Sequence, residues 1–328
     1  MSLPRWLLAL AALSGAAAAV LGLVRDWPLA LTVLTGAMAA TSVLLLAQPA
    51  GRTASRRSAA YALLVVGLVQ LPLAFSIFDP EGVVTSLGAL DFAGALGFAV
   101  PVGAGMYAWS RVRATGSGAI PAATPDRGRL TSGRLAPGTA LAALGLVAIC
   151  IAAETVIDDV TPRIFLSATL SAVTGCAGWV VTRLISTGRP TARDAVYGVL
   201  AGLVSALASS AWVTVQWSLL IGVAAGALSA VFYGFASRGM GERQAAIAVL
   251  LLVGGAAGCV MLGLFTDGTG LVHTGGITQL AAQLGATILA VAWSMVIAEA
   301  AGFALKPRHV ERPDEVGDTG LEPMTSSV

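Results

Sequence analysis

Three carboxylates stand in or at the edge of apolar runs of this chain: Asp91, Glu154 and Glu299. A charge in such a run is costly, so each is a candidate for work on a cation or a proton. Asp91 sits in Leu87-Gly88-Ala89-Leu90-Asp91-Phe92-Ala93-Gly94. That stretch follows an acidic loop, Phe78-Asp79-Pro80-Glu81-Gly82, and opens an apolar helix that runs to about Ser110. Two readings of Asp91 stand side by side. It is a helix N-cap whose charge suits the positive end of the dipole, or a buried carboxylate that favours a cation nearby. Glu154, close to Asp158 and Asp159, reads as interfacial. Glu299 is within snorkelling reach of Lys306 or Arg308 and reads as half of an ion pair. The sequence holds no HExxH, no GxSxG and no phosphate loop, and it calls for no metal or cofactor. Enzyme chemistry is therefore not expected. Cys150, Cys176 and Cys259 all fall in apolar runs and read as packing residues.

The elements that must position these groups are apolar helices. Hydrophobic residues make up 56% of the 328 and charged ones 11%, against roughly 25% charged in soluble domains. Mean hydropathy is +0.84. This is the composition of an all-α polytopic membrane protein whose main partner is the lipid bilayer. The net charge of +2 comes from basic residues dispersed among loops, so nucleic acid is not an expected partner. A spanning helix needs roughly 20 mainly apolar residues. Ten stretches qualify: 6–24, 28–48, 59–78, 91–110, 138–158, 164–186, 194–213, 216–236, 244–265 and 277–305.

With these spans, all the basic residues but Arg25 and Arg163 fall on one side. The positive-inside rule then places both termini in the cytoplasm, in a plasma or inner membrane. A rival reading of the first stretch is a signal peptide, with Arg5, an apolar run and Ala17-Ala18-Ala19. Residues 1–305 read as one transmembrane domain, and 306–328 as a disordered cytoplasmic tail. Residues 112–136, rich in Gly, Pro, Ser and Arg, read as a flexible connector. The last stretch spans about 43 Å at 1.5 Å per residue, beyond the ~30 Å hydrocarbon core. It is expected to tilt or to project. Gly198/Gly202, Gly222/Gly226 and Gly254/Gly258 are close-packing patterns. Trp6, Trp27, Trp109, Trp212 and Trp217 stand at helix ends, as in an interfacial belt.

Leu87 through Gly94 resembles, residue for residue, the segment that opens the fifth membrane helix of the ammonium transporter (Amt/Rh) family. Gly188-Arg189-Pro190-Thr191-Ala192-Arg193-Asp194-Ala195, with Gly198 and Ala201-Gly202-Leu203-Val204, is similar to the start of the family's eighth helix. Gly254-Gly255-Ala256-Ala257-Gly258, with Gly263-Leu264-Phe265, is similar to its tenth. Tyr61 through Pro72-Leu73-Ala74 resembles the helix before the DFAG segment. Order and spacing agree over about 28–305. The family core has eleven helices. By parity, residues 6–24 match the second of these and the first is missing.

The resemblance implies a substrate pathway. The Asp of DFAG, here Asp91, supports the ammonium site. Two facing pore histidines relay a proton or hold substrate. The first maps to Ala99 and the second to Leu251, while His273 and His309 lie outside the expected spans. With no imidazole, no side chain carries a proton at that depth. The vestibule Trp maps near Phe78 or Asp79, and its serine near Leu170 or Ser171. One gating Phe maps near Phe165 or Leu166, and the other near Met38. The resemblance thus implies a membrane channel or transporter for ammonium, ammonia or a similarly small solute, without the twin-histidine relay, and a homotrimer. A transport-inactive relative with a structural or regulatory role is the alternative.

Overall fold

The computed structural model describes residues 4–47, 55–114 and 132–306. These residues form helices joined by turns, with one isolated antiparallel bridge between Val213 and Thr266. In chain order the helices are α1 (Arg5–Val24), α2 (Leu29–Ala47), α3 (Arg56–Phe78) and the short α4 (Val83–Ser86). Next come α5 (95–114), α6 (Ser132–Ala153), α7 (Thr161–Thr187), α8 (Ala192–Ser209), α9 (Val215–Ala236) and α10 (Glu242–Phe265). The single-turn α11 (Leu271–Thr274) and α12 (Thr278–Ala304) complete the fold.

A long helix lies over each of the ten apolar stretches. Seven of them are long and apolar enough to cross a membrane: α1, α2, α3, α7, α9, α10 and α12. α12 has 27 residues, about 40 Å at 1.5 Å each, and so exceeds the ~30 Å hydrocarbon core.

Small and polar residues make up much of the inward-facing surface, beside large anchors such as Trp179, Tyr61 and Leu203. On α12 the buried face is Gln283, Ala286, Thr287, Ala290, Ser294, Ala298, Ala301 and Gly302. Other large apolar side chains face out, among them Leu13, Phe235 and Val296. Lipid is as apolar as leucine, so burying large side chains between helices gains little there. Close approach of small residues is what holds such helices together.

The glycine pairs show this directly. Gly202 of α8 and Gly222 of α9 abut Ser171 of α7, Gly226 abuts Gly175, and Gly258 of α10 abuts Ser205 of α8. A Cβ at Gly202 would overlap the Ser171 carbonyl.

Several boundaries differ from those expected. α5 begins at 95 rather than 91, because Gly94 takes a left-handed φ of +80° and turns the chain just before the helix. α6 ends at Ala153 rather than 158, where Thr155 takes a φ of +65°. Trp27 and Trp109 are buried rather than placed in a lipid-facing belt. Trp27 binds a carboxylate, and Trp109 stacks on Tyr61 with centroids 4.5 Å apart. Most of the 112–136 connector and nearly all of the 306–328 tail lie outside the described residues.

Gly202→Val is expected to destabilise the α7–α8–α9 seam by at least the ~1–3 kcal/mol typical of overpacking. A melting curve of the purified variant in detergent, read beside the parent, checks this.

Candidate functional site

The DFAG turn is fixed from both sides. Phe92 and Ala93 donate their N–H groups to the carbonyls of Ala208 (3.2 Å) and Leu207 (2.6 Å) in the last turn of α8. Those carbonyls have no partner within their own helix, so the turn caps α8 as it passes. From α12, Gln283 donates to the Leu90 carbonyl at 3.0 Å and Gln279 to the Gly88 carbonyl at 3.3 Å. Within this frame Asp91 is buried. Its Oδ1 accepts from the Ala95 amide and its Oδ2 from the Leu96 amide, each at 2.7 Å. Asp91 is therefore both a cap and a buried carboxylate. It reaches the first amides of α5 from outside the helix, because Gly94 occupies the N-cap position.

α5 opens with a wide π turn over Ala95–Ala99, and α3 carries another over Val66–Gln70. Such turns are frequent at functional sites. Ala99 is fully buried. Its Cβ lies 3.3 Å from where a Cβ on Gly255 of α10 would stand. Gly103, one turn further on, abuts the backbone of Ala248 and Leu252. Leu251, one turn before Gly255 on α10, is buried as well. Ala99 therefore stands in a tight seam between α5 and α10, and Leu251 is buried on α10 one turn away.

Phe78, the last residue of α3, meets the same turn. A Cβ on Gly94 would stand 3.2 Å from the Phe78 Cζ and 3.6–3.7 Å from the Met38 thioether. Trp27 packs edge-on against Phe78, with centroids 6.0 Å apart. Asp79 follows, 1% exposed at its side chain, and takes a bidentate ion pair from Arg25 at 2.7 and 2.8 Å. The guanidinium holds this carboxyl down to about 2, well below its ordinary range.

The structure does not bring Ser171 or Phe165 into this cluster. Ser171 is buried in the seam of α7 with α8 and α9, its hydroxyl donating to the Ser218 carbonyl at 3.0 Å. Phe165 on α7 is 50% exposed. Glu299, expected to pair near the inner end of its helix, pairs with Arg111 of α5 at 3.0 Å. The two helices cross there, while Arg308 lies outside the described residues. Glu154 stands just past α6 and accepts from the Thr161 hydroxyl at 2.6 Å. His273 lies exposed in α11, edge-on to Trp217.

The GRPTARDA segment proves to be a capping device. Gly188 ends α7 in a left-handed turn, and Thr191 with Asp194 forms a capping box at the start of α8. Asp194 also accepts from the Trp179 indole and the Arg183 guanidinium, each at 3.1 Å.

A model of the ammonium transporter family matches residues 17–309. The chain belongs to the ammonium transporter family. An ammonium transporter of Mycobacterium tuberculosis is 27% identical over 266 residues, covering 74% of this chain and 55% of the relative. One of Bacillus subtilis is 29% identical over 208 residues, covering 62% and 50%. The chain thus spans about half the length of the curated relatives it matches. Among solved structures, a double mutant of Candida albicans Mep2 superposes with a TM-score of 0.73 at 22% identity, covering 87% of this chain and 68% of that one. A protein titled Sensor Amt Protein gives 0.71 at 22%, covering 84% and 71%. At such identities these two likenesses show the fold.

Sequence reasoning found the turn and its aspartate in this ammonium transporter family member. It missed Gln283 as the partner of the turn, and Arg25 and Trp27 as the partners of the neighbouring Asp79. One signal was present: Arg25 and Arg163 are the two basic residues set apart from all the others. Both turn out to be engaged, Arg25 with Asp79 and Arg163 with the Ala211 carbonyl at 2.7 Å.

Because both Asp91 oxygens accept, Asp91→Asn should already lose one of the two caps, and Asp91→Ala both. Cap loss costs about 0.5–2 kcal/mol. Thermal melts are expected to rank parent above Asn above Ala. An Asn variant as stable as the parent would remove the two-oxygen cap from the account.

Proposed function

We propose that the protein is a multi-pass membrane channel or transporter that passes ammonium, ammonia or a similarly small solute without a twin-histidine relay. The observation that carries this reading is the DFAG turn. Its carboxylate is buried on the first amides of α5, and its backbone is fixed to α8 and α12. That is a rigid, polar entry into the bundle, in a chain matched by the family along most of its length. The curated relatives named as ammonium transporters make this solute class the natural one for this chain.

The reading includes ten membrane spans, with α5, α6 and α8 added to the seven most apolar. The segregation of basic residues supports both termini in the cytoplasm of a cell with this protein in its plasma or inner membrane. Family resemblance supports assembly as a homotrimer, and the outward apolar faces of α1, α7, α9 and α12 leave room for such contacts. Asp91 and Phe78 belong to the proposed pathway by resemblance and by their place at the DFAG turn, and Ala99 and Leu251 by resemblance. Ser171 and Phe165 belong to it by resemblance alone.

A second reading has its own observation. Ala99 and Gly103 of α5 lie in direct contact with α10 at Gly255, Ala248 and Leu252. Such a seam suits a relative that does not transport and acts as a structural or regulatory membrane component.

Flux into liposomes separates the two readings. With an ammonium gradient, the transport reading expects internal alkalinisation from entering ammonia, above that of empty vesicles, and no ammonium-dependent current. Vesicles no faster than empty ones favour the inactive relative. A robust ammonium-dependent current would overturn the relay-free account.

A further inference from the structure

Arg25 sits in surroundings that would suit a free cation. Nε and Nη2 donate to the two oxygens of Asp79 at 2.7 and 2.8 Å. Nη2 also donates to Glu81 Oε2 at 2.9 Å. The guanidinium carbon lies 5.1 Å from the centroid of the Phe75 ring. The Trp27 indole donates to Asp79 Oδ2 at 3.3 Å, and the Glu81 amide to Oδ1 at 3.0 Å. Two carboxylates and an aromatic face thus converge on one cationic group, the combination that recognises guanidinium and alkylammonium ions.

The backbone brings Arg25 to this place by a tight turn. Arg25 follows the last residue of α1, Asp26 takes a φ of +55°, and the Trp27 amide closes back on the Gly22 carbonyl at 2.9 Å. Packing links this ion pair to the DFAG turn, since Trp27 packs on Phe78 and Phe78 on Gly94. The Asp79 side chain is 1% exposed, whereas that of Arg25 is 34% exposed. Truncating the arginine would leave a buried carboxylate without its counter-charge, beside a solvent path of the size the side chain had filled. An uncompensated buried charge is strongly unfavourable, and a guanidinium probe that restores both hydrogen bonds and the ring contact would relieve it.

We propose that Asp79, Glu81, Phe75 and Trp27 form a cation site that the chain's own Arg25 occupies, so that this mouth takes no free cation. Resting on the transport reading, this narrows the solute admitted beside the DFAG turn to an uncharged one.

The test is a binding measurement, independent of transport, so its failure leaves the transport reading standing. Purified full-length parent and the Arg25→Ala and Arg25→Gln variants are titrated calorimetrically in detergent with methylguanidinium and, separately, methylammonium. Arg25→Ala is expected to bind methylguanidinium saturably, at least tenfold tighter than the parent, and to lose that binding when Asp79→Asn is added. A preference for methylguanidinium over methylammonium is expected from the bidentate geometry. A folded Arg25→Ala or Arg25→Gln variant that binds no better than the parent overturns the proposal. If neither variant is recovered folded, recovery on adding millimolar methylguanidinium during purification supports it, and no recovery overturns it. A parent that itself binds either probe saturably also overturns it, because its site should be filled.

Discussion

The contact on which the site depends is the meeting of α5 with α10 at Ala99 and Gly255. The Ala99 methyl, the Ala95 carbonyl and a Val100 methyl group all lie within 3.4 Å of where a Cβ on Gly255 would stand. In a bilayer such contacts supply what a hydrophobic core supplies in water, because lipid offers apolar side chains no reason to leave it. The same logic runs through α7, α8 and α9, where glycines lie against carbonyls of the neighbouring helix. The architecture therefore rests on residues defined by their smallness. The price is that a functional side chain cannot be placed in such a seam without opening it.

Around that seam the polar groups act mainly as fasteners. Asp91 holds the first amides of α5, Phe92 and Ala93 hold the last carbonyls of α8, and Gln283 ties the turn to α12. In low dielectric an unmade hydrogen bond is expensive, so these contacts fix the turn firmly. A carboxylate engaged by two amides has fewer free lone pairs for a passing ion. The Arg25–Asp79 pair adds a second charged element beside the same turn.

Much of this was legible in the sequence, for physical reasons. Helix positions could be read because spanning demands long apolar runs, and glycine spacings announced their seams because only small residues permit that approach. Asp91 stood out because charge in an apolar run is rare. What could not be read was pairing across the fold. Glu299 lies 188 positions from Arg111 in sequence, and Gln283 lies 193 from Leu90. No local pattern encodes such partners. The start of α5 was misplaced by four residues, since the left-handed Gly94 breaks the helix after its aspartate rather than before it. Ser171 has the type expected of a solute-binding hydroxyl, yet spends it on the Ser218 carbonyl.

The proposal to test first is passage without a histidine relay, in a chain whose Ala99 lies against Gly255 of α10. The direct test restores the two histidines in the double variant Ala99→His, Leu251→His, followed by a melting curve and ammonium-dependent current in liposomes. The account predicts a lowered melting midpoint from overpacking against Gly255, and no current. A variant as stable as the parent that carries a robust ammonium-dependent current would contradict it.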